Sequence, residues 1–210
     1  MRVSKVVLAL VTLFTLGGGA VSAQVPGIGL DIVPKIGGEF PLSDLPTTPS
    51  SIDVANIGST LAWGVAAELG LPFLPFNLRA DVSGTTSKSI SPATGVTSNT
   101  VDQTMMAIFG DLVFRPLPKI ILFKPYLMAG LGVKRYNYSL SDPTSVFQQS
   151  FTNTNDLAYH LGLGLDIGLG PLSLVAELND YMNQYQYATG GSKKLQHDLF
   201  AMLGLRFGIL

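Results

Sequence analysis

Apolar and polar residues alternate with period two over long stretches of this chain. Between positions 61 and 71 the odd positions are Leu61, Trp63, Val65, Ala67, Leu69 and Leu71; the even ones are Ala62, Gly64, Ala66, Glu68 and Gly70. Between 157 and 167 the odd positions are Leu157, Tyr159, Leu161, Leu163, Leu165 and Ile167; the even ones are Ala158, His160, Gly162, Gly164 and Asp166. Successive side chains of a β-strand point to opposite faces, so this period predicts strands with two unlike faces. Runs of about ten residues are long enough to cross a bilayer when tilted. One parity holds Leu and aromatics and the other Gly and charge, the pattern of a barrel with lipid outside and a polar interior.

The pattern predicts eight strands, over residues 28–40, 59–71, 76–85, 101–115, 124–138, 155–168, 171–182 and 195–210. The connections after the odd-numbered strands, 41–58, 86–100, 139–154 and 183–194, are long and polar. Those after the even-numbered strands, 72–75, 116–123 and 169–170, are short and rich in Pro, Gly or both. Long loops at one end and short turns at the other is the asymmetry of outer-membrane barrels. An even strand number then puts both termini at the short-turn, periplasmic end. The expected fold is an all-β, eight-stranded, antiparallel, up-and-down transmembrane barrel.

Charge tests this assignment. The apolar parity runs through Leu30, Ile32, Ile36, Leu78, Ala80, Val82, Met106, Ile108, Leu112 and Phe114 to Leu127, Leu131, Leu174, Leu178, Leu199 and Leu203, with no Asp, Glu, Lys or Arg. Arg or Lys at the midplane of a lipid-facing wall costs about 2–4 kcal/mol, which explains the exclusion. The other parity collects Asp31, Lys35, Glu39, Glu68, Arg79, Asp81, Asp111, Arg115, Lys134, His160, Asp166, Glu177, Asp198 and Arg206. The interior of a barrel this size is filled by side chains, and buried charges need partners. A lumen network of Lys35, Glu68, Arg79, Asp111, Lys134, His160, Asp166, Glu177 and Arg206 is therefore expected, with Gly64, Gly130, Gly132, Gly162, Gly164 and Gly204 giving room to the long charged chains. On the two faces of strand 157–167, Leu163→Arg is expected to be costly and Gly164→Ala milder. Two aromatic girdles are expected near the strand ends: Phe73, Phe76, Phe114, Phe123 and Tyr126 at one, Tyr136, Tyr138, Tyr159, Tyr181, Tyr185 and Tyr187 at the other.

The first 23 residues read as a signal peptide: Arg2 and Lys5, an apolar run over 6–16, and the small-x-small site Val21-Ser22-Ala23. Residues 24–210 then form one barrel domain, exported and placed in the outer membrane of a Gram-negative-type envelope. Without Arg2 and Lys5, 11 basic residues remain against 14 acidic ones, net −3, which argues against nucleic-acid binding. The chain has no cysteine, so an exported domain must be held without disulfides, and closure of a hydrogen-bonded barrel supplies that.

The segment Lys124-Pro125-Tyr126-Leu127-Met128-Ala129-Gly130-Leu131-Gly132-Val133 and the closing Gly204-Leu205-Arg206-Phe207-Gly208-Ile209-Leu210 carry a likeness to a known group. Over the whole mature length the chain resembles the small eight-stranded bacterial outer-membrane barrels, which include the OmpA membrane domain, OmpX and OmpW. The resemblance implies outer-membrane lipids and the barrel-assembly machinery as partners, and a monomer. Members of that group usually end in an aromatic residue; this chain ends in Leu210, with Phe207 placed to serve a shifted signal.

Candidate chemistry is sparse. Gly130-Leu131-Gly132 and Gly162-Leu163-Gly164 lack the full G-x-G-x-x-G and its strand-turn-helix setting, so no nucleotide cofactor is assigned. His160 shares a parity with Asp166 but has no nearby Ser, and His197-Asp198 also lacks one, so no catalytic residue is assigned. Two His, no Cys and scattered acids give no metal site. The expected role is a structural or surface-interaction barrel whose loops meet an unidentified external ligand. The alternatives are a narrow porin-like pore or small-solute transport, and a lipid-modifying enzyme.

Overall fold

The structure is a computed structural model, and it describes residues 28–42, 58–71, 74–90, 101–116, 122–140, 153–169, 172–185 and 194–209. The segment read as a signal peptide, its cleavage site and most of the four long connections lie outside the described residues.

Among the described residues nine strands form: β1 (Gly29–Pro41), β2 (Thr60–Gly70), β3 (Phe76–Thr85), β4 (Lys88–Ile90), β5 (Val101–Phe114), β6 (Phe123–Leu140), β7 (Thr154–Gly168), β8 (Leu172–Tyr185) and β9 (Lys194–Gly208). All pairings are antiparallel. Each long strand pairs with its neighbours in sequence, β1 pairs with β9, and β3 pairs with β5. The result is a closed, up-and-down, eight-stranded barrel. Closure satisfies every strand edge with a ladder, the condition for β-structure in lipid.

The strand β4 corrects the reading of 86–100 as loop throughout. Lys88, Ser89 and Ile90 pair with Gln103, Asp102 and Val101 and prolong the β3–β5 ladder beyond Thr86 and Ser87. Ile90 and Val101 are fully buried there, and their β-branched side chains favour continued pairing. The β6 and β8 strands likewise run two and three residues farther than expected, to Leu140 and Tyr185.

Burial follows the alternation. On β5 every odd position from Val101 to Val113 is buried, and all but Thr104 of the even ones are exposed. The outward parity leaves Leu61, Leu127, Leu131, Leu157, Leu161, Leu163 and Leu203 at least half exposed. Such an apolar wall is far larger than a water-facing monomer carries.

The expected girdles need correction. Tyr126, Tyr136, Tyr138 and Tyr181 are buried inside the barrel. Phe114, Phe123 and Tyr159 do face outward, joined by Phe40 and Trp63. Nearness to a strand end sets the height of a ring, whereas parity sets its wall, and these four Tyr share the parity of the charges. Trp63, the chain's single tryptophan, lies over Gly84 on β3, where a Cβ would come 2.8 Å from Trp63 Cζ2.

Candidate functional site

The interior is built in layers. Nearest the short turns, Arg206 from β9 donates from Nη1 to Glu68 Oε2 of β2 at 2.9 Å and to Asp31 Oδ2 of β1 at 3.1 Å. Its Nε reaches Asp166 Oδ1 of β7 at 3.3 Å. Arg115, just past β5, pairs with Glu68 from the other side and reaches Asp166 Oδ2 at 3.3 Å. Two guanidiniums thus share Glu68 and Asp166, and Arg115 also stacks over the Tyr126 ring at 4.6 Å.

The next layer crosses the lumen. Lys35 Nζ of β1 donates to Asp81 Oδ2 of β3 at 2.6 Å and to Glu177 Oε2 of β8 at 2.9 Å. Arg79 donates to Glu177 Oε1 at 2.6 Å and to Asp81 Oδ2 at 2.8 Å. Tyr126 Oη donates to Glu177 Oε1 at 2.6 Å, and Ser83 Oγ to Asp81 Oδ1 at 2.7 Å. Four charges, two of each sign, share these bonds, so each buried ion has the partners burial demands. The side chains of Lys35, Arg79 and Glu177 have no accessible surface.

Above this lies a mainly aromatic layer. His160 stacks on Tyr181 with centroids 4.6 Å apart, and Tyr181 also meets Phe109 at 5.1 Å and Phe200 at 5.0 Å. The two ring nitrogens of His160 face acceptors: Asp111 Oδ1 lies 2.7 Å from Nδ1 and Asn179 Oδ1 3.2 Å from Nε2. Toward the long loops, Lys134 pairs with Asp198 at 2.5 Å and donates to the Tyr181 carbonyl at 2.8 Å. Tyr136 Oη donates to Asp198 at 2.6 Å. Lys88 from β4 closes on Glu39 at 2.7 Å.

All nine residues expected in a lumen network are buried, Arg206 being the most exposed at 8%. Direct ion pairs group them by level, and Asn179 joins two of the groups by bonding to both His160 and Glu177. Glu68, Asp166 and Arg206 share the turn-side layer, and Lys35, Arg79 and Glu177 the next. Asp111 and His160 pair with each other, and Lys134 stands apart with Asp198. The acids closest in sequence to His160 are not its partners; Asp111 on β5 is. Sequence reading left Asp81, Asp198 and Tyr126 out of the site. Asp81 and Asp198 share the inward parity, which was the available signal. Tyr126 was hidden by its position near a turn. The inward glycines make room for rings as well as charges: Gly164 faces the Tyr126 ring and Gly132 the Phe109 ring.

One pair breaks the parity rule. Asp180 on β8 and His197 on β9 belong to the outward parity, with His197 Nδ1 2.8 Å from Asp180 Oδ2. Their side chains are 26% and 32% exposed. Among the described residues, no group of three or more His, Asp or Glu is placed to hold a metal ion.

No protein-family model matches the chain, and no curated protein does. Solved structures do. The chain is similar to Neisserial surface protein A, at TM-score 0.52 and 12% identity over 86% of this chain and 96% of that one. A major outer membrane protein from Thermus thermophilus gives 0.52 and 15% over 86% and 99%. The outer membrane protein OprG from Pseudomonas aeruginosa gives 0.50 and 13% over 85% and 95%. At these identities the likeness is one of fold: a small eight-stranded barrel of the outer-membrane type.

Proposed function

We propose that the chain is an integral outer-membrane barrel whose lumen is closed by ion pairs, and that it acts as a membrane-held platform for its loop-side segments. The observation that carries this reading is the Lys35–Asp81–Arg79–Glu177 layer, which joins β1, β3 and β8 across the interior with its charged groups out of reach of water. A conducting pore needs a hydrated path, and a solute carrier needs a cavity inside the wall; this layer leaves room for neither at its level. The largely apolar outer wall, with Leu78, Leu131, Leu163 and Leu203 exposed, supports insertion in lipid. Lipids and the barrel-assembly machinery are the partners the architecture calls for, with an external ligand met by the loops. Catalysis has no support on the inner wall, where His160 is stacked and buried with no hydroxyl nucleophile among its hydrogen-bond partners.

Purified protein reconstituted in planar bilayers tests the closed-lumen reading. Insertion without steady ohmic current is the expected result. Stable single-channel conductance from the wild-type protein would overturn it in favour of a pore.

A further inference from the structure

The outer wall carries a groove, and the groove ends on an acid. Side chains facing outward along one hydrogen-bonded ladder form the row Leu199–Asp180–Leu161–Ala129–Leu112, each residue directly opposite the next on the neighbouring strand. One step nearer the turns, a second row runs Leu178–Leu163–Leu127–Phe114–Phe76. Between these rows lies a hollow of about 620 Å³ with an almost wholly apolar lining. Ala129 is the smallest residue of its row, and at Gly110, one step up β5 from Leu112, a Cβ would meet nothing within 4 Å. Barrel strands tilt, so a row perpendicular to them descends obliquely through the apolar belt from the loop side toward the turn side. The loop-side end of the groove is where Asp180 stands.

An acid on the lipid face is energetically costly. Leu161 and Leu199 flank it on the neighbouring strands, and Leu178 follows it on its own face. Ionisable groups at such positions are costly and mark function by default. Asp180 is held by one cation-capable neighbour, with His197 Nδ1 on its Oδ2. Its Oδ1 is buried and accepts no hydrogen bond. The groove is therefore an apolar hollow whose loop-side end holds the partly exposed Asp180 carboxylate, paired with a single histidine.

We infer that this groove binds a membrane lipid whose head carries a primary ammonium, with an acyl chain between the two rows and the ammonium donating to the partly exposed Asp180 carboxylate. The ammonium brings the carboxylate a positive charge and N–H donors together. A quaternary ammonium supplies the charge alone. This rests on the barrel spanning the membrane as proposed above.

The test uses the full barrel in phosphatidylcholine vesicles with trace spin-labelled lipid, read as the motionally restricted fraction in electron spin resonance. Phosphatidylethanolamine and phosphatidylcholine share a zwitterionic head and differ in N–H donors. Spin-labelled phosphatidylethanolamine should associate several-fold more strongly than spin-labelled phosphatidylcholine. Asp180→Asn should bring the two within error. Ala129→Phe, which fills the groove and leaves the head site intact, should also abolish the preference, while Ala67→Phe on the far outer wall should leave it unchanged. Equal association of both lipids with the wild-type protein would overturn the inference, as would a preference that survives both Asp180→Asn and Ala129→Phe. Failure of the membrane reading would look different: the protein would not float with the vesicles at all.

Discussion

Glu177 and Asp180 stand three residues apart on β8 and face opposite walls of the barrel. Glu177 accepts from Lys35, Arg79, Tyr126 and Asn179. Asp180 has His197 on one oxygen and no hydrogen bond on the other. The inner wall tolerates charge because every strand can send a partner across a short lumen. The outer wall excludes it because lipid supplies none. One alternation generates both walls, yet the energetic meaning of a carboxylate reverses with a shift of parity. Substitutions on the two walls should therefore fail, or succeed, for different reasons.

The largest effect is expected at the centre of the inner wall. Glu177→Leu leaves Lys35 and Arg79 with only Asp81 between them, and stranding buried charge in this way costs about 3–5 kcal/mol. Urea unfolding in lipid vesicles, followed by the heat-dependent gel shift, measures it. Adding Lys35→Met should restore much of the loss, because it removes the stranded charge. If the double variant instead loses the sum of the two single effects, the residues do not act as a unit.

Next comes the pair that faces both walls from one place. Leu163→Arg sets a cation on the lipid face of β7, at a cost of about 2–4 kcal/mol. Gly164→Ala, expected from sequence to be mild, meets the Tyr126 ring directly. It pushes aside the phenol that donates to Glu177, and overpacking of this kind costs about 1–3 kcal/mol. The two variants should thus be closer in stability than their chemistry suggests. Leu163→Arg should hinder assembly into lipid, while Gly164→Ala should assemble and unfold more easily.

That reversal shows what was legible in the sequence. Alternation made the eight long strands and their two unlike walls legible, because each is a property of a single strand. Partner choice was not legible. Glu177 meets Arg79 although 98 positions separate them, and His160 meets Asp111 at 49. Those contacts depend on ladder register around the whole barrel, which no local pattern states. The inward Tyr residues were not legible from strand-end position, because parity decides which wall a ring faces. Asp180 and His197 were not legible as a pair, because parity places both on the apolar wall, where no charge is expected.

Arg206→Met acts on the turn-side layer, where the loss is shared. Arg115 still pairs with Glu68 and Asp166, so the acids keep one cation. Asp31 loses its described partner but is the most exposed member of the layer. A destabilisation of about 1–3 kcal/mol follows from weakened charged hydrogen bonds. No current should appear in planar bilayers, because the Lys35 and Arg79 layer lies behind it and is untouched. Conductance in Arg206→Met alone would show that the turn-side layer, and not the one above, is what seals the lumen.

The smallest effect should come from the outer wall's own acid. Asp180→Leu extends the row of Leu199, Leu161 and Leu112 and removes a carboxylate from the lipid face. His197, left without its acid, is about one-third exposed and loses an anchor without becoming a stranded buried ion. Stability in vesicles should change by no more than about 1 kcal/mol, with the gain from lipid exposure of Leu offsetting the lost bond. A loss on the scale of Glu177→Leu would make Asp180 a structural residue and place the two acids in one class. A neutral or stabilising result separates them: Glu177 is kept because the fold fails without it, whereas Asp180 sits where the fold does not need it. A costly group that stability does not require, at the end of a groove shaped for a chain, points to a ligand as the reason for its presence.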